Sequence, residues 1–204
     1  KTNSNYRNGS FRTGIMSEGA YVDWGNPIGE MMYETLRYLA GKGTATTAFS
    51  SKKAHDDAVG LSRATWDNPY ASGSAASAKS CAKPNMLVMS NVNTSYDSDQ
   101  LPGSHFGSFT GDLSGLDVST EADAITTGEG NIAGKQFFIG QSGEDSDFAP
   151  TAKTVQSLSQ LRGLAPIEPT KQGSYYPASI ARYGAKTIVN PASDQKTDSY
   201  IVAL

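Results

Sequence analysis

Apolar side chains recur at intervals of three and four residues soon after the first 25 residues, which is the spacing of one face of an α-helix. The apolar positions of this stripe are Ile28, Met31, Met32, Leu36 and Leu39. Asn26 is a suitable N-cap, Pro27 suits the first helical position, and Gly41 is a suitable stop. The pattern therefore predicts a helix between these signals, with Glu34 and Arg37 on its solvated side.

Three apolar segments predict strands. Residues 86–90 form a short, continuous apolar run, which is typical of a strand buried on both faces of a parallel sheet. Residues 135–140 and residues 197–204 predict two further strands. The polar loop at residues 91–99 follows the first strand, and open α/β sheets bind ligands at the carboxyl ends of their strands. This loop is therefore the first candidate position for function.

Two later segments have a helical period. The first spans residues 151–162 and ends at Gly163, and the second spans residues 174–185 with Pro177 in its first turn. Their predicted inner faces consist of Val155, Leu158 and Leu161, and of Tyr176, Ile180 and Tyr183. Residues 100–134 are rich in turn-forming residues, and we expect them to contain mainly turns.

Composition and charge limit the function classes. The 204 residues are enough for one ordinary domain, and only 18% of them are charged. The formal net charge is −3, and the basic residues are scattered, which argues against a surface for nucleic acid or anionic membrane. No apolar stretch approaches the roughly 18 residues of a membrane span. We therefore expect no nucleic-acid partner and no membrane span.

The single cysteine, Cys81, excludes an internal disulfide framework and a cysteine-rich zinc site. We expect a free thiol, or a thiol that pairs with a cysteine outside this segment if the protein is exported. The chain begins at Lys1 rather than Met, and its last residues form a strand that stops in mid-run. We therefore expect the chain to be part of a larger polypeptide.

Two pairs of acids are candidate cation ligands. Asp97 and Asp99 are two positions apart in a polar loop, where alternate side chains can point at one ion. The EF-hand pattern requires a third ligand at the position that Leu101 occupies, so Asx-turn formation is the alternative role of these acids. Asp145 and Asp147 repeat the spacing, and we expect them in a solvated turn.

The residues that could support catalysis are few. The two histidines, His55 and His105, are far apart in sequence, and neither lies in a recognisable metalloprotease or nucleophile-elbow motif. Cys81 and His105 could act as nucleophile and base only if the fold brought them together. The chain also lacks the glycine-rich fingerprints of nucleotide-binding loops. We therefore expect no enzymatic activity.

Four segments together resemble the PilY-type tip and biogenesis proteins of type IV pili, in their N-terminal von Willebrand factor A-like region. They are the Asn-Pro-Ile-Gly-Glu helix start at residues 26–30, the Cys-Ala-Lys-Pro lead at residues 81–84, and residues 173–184 and 194–204. The resemblance implies an α/β, von Willebrand factor A-like fold with a mostly parallel central sheet flanked by helices. Residues 1–204 would form a partial domain of this kind, with a long inserted loop region at about 100–170.

The resemblance also implies a divalent cation site, with Ca²⁺ or Mg²⁺ at the top of the sheet. The family's threonine ligand aligns with Asn26 and its aspartate ligand with Asn91. The family's first metal-binding loop would lie upstream of Lys1. Asp97 and Asp99 could supply anionic oxygens from the neighbouring loop, because hard cations prefer such ligands.

In function, the resemblance implies an exported protein of the cell surface, the pilus tip or the outer membrane. We expect an adhesion and pilus-assembly module that acts by binding. Its partners would be minor pilins or the pilus tip, an abiotic surface or host receptor, and the remainder of its own polypeptide. A secreted α/β hydrolase-like enzyme and a structural filament or coat subunit are the alternatives.

Overall fold

The computed structural model describes residues 6–7, 10–11, 25–50, 53–62, 64–71, 81–91, 93–164 and 169–204. The α-helices in these ranges are α1 (Ile28–Leu39), α2 (Lys53–Ala58), α3 (Val118–Glu129) and α4 (Tyr176–Lys186), and two 3₁₀-helices span Leu158–Gln160 and Pro169–Lys171. The strands are β1 (Tyr6–Arg7), β2 (Ser10–Phe11), β3 (Asn85–Ser90), β4 (Gln136–Ser142), β5 (Asp145–Thr154), β6 (Leu161–Arg162) and β7 (Asp198–Ala203). No helix among the described residues is long and apolar enough to cross a bilayer.

Helix α1 confirms the first predicted helix but corrects its details. Pro27 occupies the cap position without a side-chain cap, so the prediction that Asn26 caps the helix is wrong. Met31 is 61% exposed, whereas Tyr33 is completely buried, so the inner face is rotated relative to the prediction. Arg37 is also buried, which contradicts its predicted solvated position. The rotation arises because α1 packs against α4 and β3 together.

Strands β3 and β7 confirm two predicted strands and pair in parallel, with Leu87 opposite Tyr200 and Met89 opposite Val202. The prediction that β3 is buried on both faces is wrong. Met86 points into the core, whereas Leu87 and Met89 are exposed on the opposite face. Helix α1 contacts β3 and helix α4 contacts β7, and Met86 and Val88 of β3 pack into the core.

Strands β5, β4 and β6 form an antiparallel sheet in that order. Strand β4 confirms the strand predicted at residues 135–140. The helix predicted over residues 151–162 is wrong, because residues 151–154 belong to β5 and pair with β4 across a tight turn that contains Gly143 at φ 57°. The predicted inner residues Val155, Leu158 and Leu161 are nonetheless buried.

Helix α3 lies in the region that we expected to contain mainly turns, so that expectation is wrong for residues 118–129. The Asp117 side chain caps the helix by accepting a hydrogen bond from the Thr120 N–H at 2.7 Å. The apolar stripe of α3 is short and interrupted by threonines, which explains why its period is weak.

The assignment of residues 1–204 to one domain with an insertion stays a prediction.

Helices α1, α3 and α4 pack around one core that joins the two larger sheets. Helix α4 confirms the third predicted helix, and its three predicted inner residues are buried. The most deeply buried apolar side chains are Tyr33, Leu36, Leu101, Val118, Val155, Leu161, Tyr176 and Ile180.

The fold is mixed α/β, as expected, but the described strands form more antiparallel than parallel pairs. The described strands therefore do not form the mostly parallel sheet that we expected. The reason is that β4 and β5 are joined by a two-residue turn, and parallel strands need a longer crossover. The von Willebrand factor A-like assignment stays a prediction.

Candidate functional site

The carboxyl ends of β3 and β7 lie at the same edge of the parallel sheet, where Ser90 is opposite Ala203. We call residues 93–100, which follow β3, the edge loop. The loop lies against the start of α1, because the Ser95 N–H donates to the Asn26 carbonyl oxygen at 2.9 Å. The structure therefore places the loop that we predicted to carry function beside a helix N-terminus.

Asn26 connects α1 to the end of β3. Its Nδ2 donates to Asn91 Oδ1 at 3.2 Å and to the Asn93 carbonyl oxygen at 3.0 Å. Its Oδ1 accepts from the Ser90 hydroxyl at 3.1 Å, and its backbone N–H donates to Ser95 Oγ at 2.6 Å. The buried amide thus has partners on both its nitrogen and its oxygen, and it holds the helix start, the strand end and the edge loop together.

Asp97 is fully buried between three segments of the chain. One carboxylate oxygen accepts from the backbone N–H and the hydroxyl of Ser174, at 2.8 and 3.1 Å, and the other accepts from the Gly29 N–H at 3.4 Å. Burial raises the pKa of Asp97 from its usual value near 3.8 to about 7, although hydrogen bonds from Ser174 and Gly29 act in the opposite direction. The side chain therefore joins the edge loop to the start of α1 and to the segment before α4.

Asp99 lies two positions along the edge loop and interacts with a different part of the protein. Burial lowers the pKa of Arg162, and the negative charge of Asp99 acts in the opposite direction. The Arg162 guanidinium lies over the Phe106 ring, 4.5 Å from the ring centroid. Asp99 thus acts on Arg162, which is not among the hydrogen-bond partners of the Asp97 carboxylate.

The predicted metal site lies in this polar cluster. The structure brings Asn26, Asn91 and Asp97 to the same region, as the predicted metal site requires. However, Asn91 Oδ1 accepts two N–H donors, and each Asp97 oxygen accepts at least one. Within the described ranges, no group of three or more His, Cys, Asp or Glu residues could hold a metal ion. The metal site at Asn26, Asn91, Asp97 and Asp99 stays a prediction.

Tyr96 is the residue of this site that sequence reasoning missed. Its φ of 56° lies in the left-handed region, which is uncommon for a bulky residue. The Tyr96 N–H donates to the Lys171 carbonyl oxygen at 2.8 Å, and the bonds of Ser95 and Asp97 fix the residues on both sides. No sequence signal could have identified the residue, because the backbone angle depends on these distant partners.

A second surface feature is the outer face of the parallel sheet, which we define as the side chains of Leu87, Met89, Tyr200 and Val202. Their exposed fractions are 61%, 63%, 54% and 43%. All four are apolar or aromatic, and they form two directly opposite pairs on neighbouring strands. Scattered apolar residues are common on protein surfaces, but a contiguous group of this kind is typical of an interaction surface.

A cleft of about 440 Å³ beside α1 is a third feature, lined in part by Tyr33 and Phe109. Arg37 lies in it and donates from Nε and Nη2 to the two Asp112 oxygens at 2.8 and 3.0 Å. Arg37 Nη1 donates to Glu34 Oε1 at 3.1 Å and to the Thr44 carbonyl oxygen at 2.9 Å. These partners compensate the charge of Arg37, so the cleft has the character of a structural ion-pair network.

The two residues of the possible catalytic pair have different neighbours among the contacts of the described residues. Cys81 is an exposed free thiol just before β3. His105 packs edge to face on Phe106, and its backbone N–H donates to the Tyr176 hydroxyl. His55 lies in α2 instead of a loop.

Comparison with known proteins identifies two matches. A family model described as the second domain of PilY1 homologs matches residues 1–184. A type IV pilus biogenesis factor, the PilY1 homolog of Xylella fastidiosa, is 44% identical over 210 aligned residues. The alignment covers 98% of this chain but 14% of that protein, so the chain spans about a seventh of its relative. No solved structure matches the chain.

Proposed function

Because the chain belongs to the PilY1 homolog family, in the second domain of its members, we propose that it is a non-enzymatic binding module of a type IV pilus biogenesis factor. The family resemblance seen in the sequence is confirmed by both matches. The proposed module is exported and acts at the cell surface or pilus tip, in pilus assembly and in attachment. Its proposed partners are minor pilins, an abiotic surface or a host receptor.

The observation that carries this proposal is the strained backbone of Tyr96 in the edge loop. Left-handed backbone at a non-glycine residue costs on the order of 1–3 kcal/mol and persists only where the surroundings enforce it. The Asn26 and Asp97 networks on either side supply that enforcement. Such residues concentrate at ligand contacts, because the strain holds a side chain in a defined direction.

A partly buried tyrosine with some of its surface exposed also suits a binding role. Its ring supplies a large apolar contact and its hydroxyl a hydrogen bond, and tyrosine is enriched among the residues that dominate interface energetics. The ring is held beside Gly25, where an added Cβ would lie 2.6 Å from Tyr96 Cδ2. The edge loop therefore presents a pre-oriented aromatic side chain, and pre-orientation lowers the entropy cost of binding.

The von Willebrand factor A-like architecture is part of the same proposal. It is supported by the parallel pairing of β3 and β7, by the helices α1 and α4 that contact them, and by the polar loop at the carboxyl end of β3. In such an arrangement the edge loop is the binding surface, since ligand sites of open α/β sheets lie at this end of the strands.

The test uses the full-length factor in a piliated bacterium that lacks its own copy. Tyr96→Asn removes the ring, and asparagine tolerates the left-handed conformation, while Tyr96→Phe keeps the ring as the matched control. We expect Tyr96→Asn to reduce attachment roughly tenfold or more, because the loss of a central aromatic contact costs on the order of 2 kcal/mol. Attachment is counted per cell, and the factor is quantified in sheared pilus fractions. Equal attachment by the wild type and Tyr96→Asn would overturn the proposal.

A further inference from the structure

The cleft beside α1 has a buried floor and exposed walls. Its floor includes Tyr33 and Arg37, which are 0% and 6% exposed. Its walls are two loops, residues 44–48 after α1 and residues 109–112 before α3, and most of their residues are exposed. The volume of about 440 Å³ lies within the range of roughly 300–1,000 Å³ that is typical of small-molecule sites. The ion-pair network therefore accounts for the floor, but not for the other exposed side chains of the walls.

The Asp112 carboxylate is fixed by buried partners and can still accept a hydrogen bond. Its Oδ1 accepts from the Tyr33 hydroxyl at 3.2 Å and from Arg37 Nε at 2.8 Å, and its Oδ2 accepts from Arg37 Nη2 at 3.0 Å. A carboxylate has about four acceptor positions, and the Asp112 side chain is 43% exposed. Asp112 is therefore a pre-oriented acceptor for a ligand hydroxyl, and pre-orientation lowers the entropy cost of binding.

The charges around the cleft are balanced. Arg37 and Lys42 lie beside the carboxylates of Glu34 and Asp112, so two cations accompany two anions. A charged ligand would be repelled by the groups of its own sign, and among the described residues of the cleft it would meet no unpaired opposite charge. The cleft therefore favours an uncharged ligand that binds through hydrogen bonds and apolar contacts.

The walls combine hydroxyl groups with an aromatic ring. Thr44, Thr47 and Thr110 are exposed, and each carries a hydroxyl that can both donate and accept. The Phe109 ring is partly exposed and packs edge to face on Tyr33, with ring centroids 5.9 Å apart. A pyranose sugar matches this pattern, because its hydroxyls surround an apolar C–H surface that can pack on an aromatic ring.

A peptide fits the cleft less well than a sugar. Extended peptides bind by pairing with the edge of a sheet, but loops and a helix line this cleft. Helical peptides bind in apolar grooves, but the floor here contains the ion pair of Arg37 with Asp112. The chemistry of the cleft therefore favours a sugar over a protein ligand.

We propose that the cleft between residues 44–48 and residues 109–112 binds a neutral pyranose unit of a glycan. Asp112 and Thr110 are its hydrogen-bond partners, and Phe109 is its apolar platform. The proposal goes beyond the function proposed for the edge loop and is independent of Tyr96. The two sites are separate, because the cleft lies beside the later turns of α1 and the edge loop lies against its start.

The test titrates the purified full-length protein with D-glucose, D-galactose, D-mannose and N-acetyl-D-glucosamine, and saturation-transfer difference NMR detects binding. We expect at least one of these sugars to bind with a dissociation constant in the millimolar range, because a monosaccharide offers few atoms for contact. The corresponding uronate and hexosamine should bind more weakly, because the charges of the cleft are balanced. Binding of none of the four sugars, or tighter binding of a charged analogue, would overturn the proposal.

Thr110→Ala and Thr154→Ala are matched variants that locate the site. Both threonines are exposed, but Thr110 lines the cleft and Thr154 lies in β5. We expect Thr110→Ala to weaken binding of the same sugar roughly threefold or more, as the loss of one hydrogen bond does, and Thr154→Ala to leave binding unchanged. Equal binding by the two variants would place the sugar elsewhere and overturn the proposal.

Hydrogen exchange provides an independent readout in the full-length protein. Saturating sugar should slow amide exchange in peptides that cover residues 44–48 and residues 109–112, and should leave residues 198–203 unchanged. If purified pilins slowed exchange in these two loops and none of the sugars did, the ligand would be a protein and the proposal would be wrong.

Discussion

Ser174 donates both its backbone N–H and its hydroxyl to the same carboxylate oxygen of Asp97, at 2.8 and 3.1 Å. The contact joins the edge loop to the segment that leads into α4, while the other Asp97 oxygen contacts Gly29 in the first turn of α1. One buried carboxylate thus holds three segments that form the candidate site. A change in its charge or a small displacement of its partners should therefore affect the whole edge loop.

The stability of the edge loop should depend on pH through Asp97. Its pKa is raised from near 3.8 to about 7 by burial, so the folded state binds the proton more tightly than the unfolded state. The resulting stability is fully present below pH 4 and is lost as the pH rises through about 7, at up to roughly 1.4 kcal/mol per pH unit. Urea midpoints from pulse proteolysis of the full-length protein at pH 5 to 8 measure this fall.

The controls for this pH dependence are two amide variants. Asp97→Asn cannot ionise, so its urea midpoint should vary less between pH 5 and 8 than that of the wild type. Asp99→Asn should retain the wild-type pH dependence, because Asp99 is partly exposed to solvent whereas Asp97 is completely buried. A wild-type profile in Asp97→Asn would show that another group causes the pH dependence.

The second prediction concerns the metal site at Asn26, Asn91, Asp97 and Asp99. Because the side-chain oxygens of Asn91 and Asp97 already accept hydrogen bonds, we expect the wild type and Asp99→Ala to bind the same number of Ca²⁺ or Mg²⁺ ions in the full-length protein. Calorimetric titration with each ion provides the stoichiometry. The loss of one site in both Asp97→Ala and Asp99→Ala would instead support a cation at the edge loop.

The third prediction concerns close packing beneath the edge loop. A Cβ added to Gly173 would lie 2.0 Å from the Thr94 carbonyl oxygen, whereas a Cβ added to Gly43 would meet nothing within 4 Å. We expect Gly173→Ala to lower the free energy of unfolding by about 1–3 kcal/mol, as overpacking does, and to displace the edge loop. Gly43→Ala is the matched control and should leave the urea midpoint nearly unchanged. Equal midpoints for the two variants would contradict this packing.

The fourth prediction concerns the ion pair between Arg37 and Asp112. Asp112→Ala leaves the buried guanidinium with Glu34 as its remaining acidic partner, and we expect a loss of about 2 kcal/mol in the free energy of unfolding. Lys42, which lies 3.6 Å from the same carboxylate, is more exposed. Lys42→Ala should therefore cost less than about 1 kcal/mol. The urea midpoints of the two variants provide the comparison.

Local sequence periodicity predicted those elements whose core contacts repeat along the chain. Helices α1 and α4 have apolar residues at helical spacing, and β3 and β7 are short apolar runs that their flanking residues delimit. The same spacing failed for Val155, Leu158 and Leu161. All three residues are buried, but Val155 follows β5, Leu158 lies in a 3₁₀-helix and Leu161 lies in β6. Pairing of β5 with β4 overrides the local helical preference.

The sequence by itself determined the family, the mixed α/β class and the loop after β3 as the first candidate site. Only the tertiary structure decided which neighbours surround Asp97, because Gly29 and Ser174 are 68 and 77 positions away from it along the chain. Only the tertiary structure also revealed the strained backbone of Tyr96 and the uncovered outer face beside Met89. The physical reason is that periodicity reports contacts within one element, whereas burial and backbone strain arise from segments that meet only after folding.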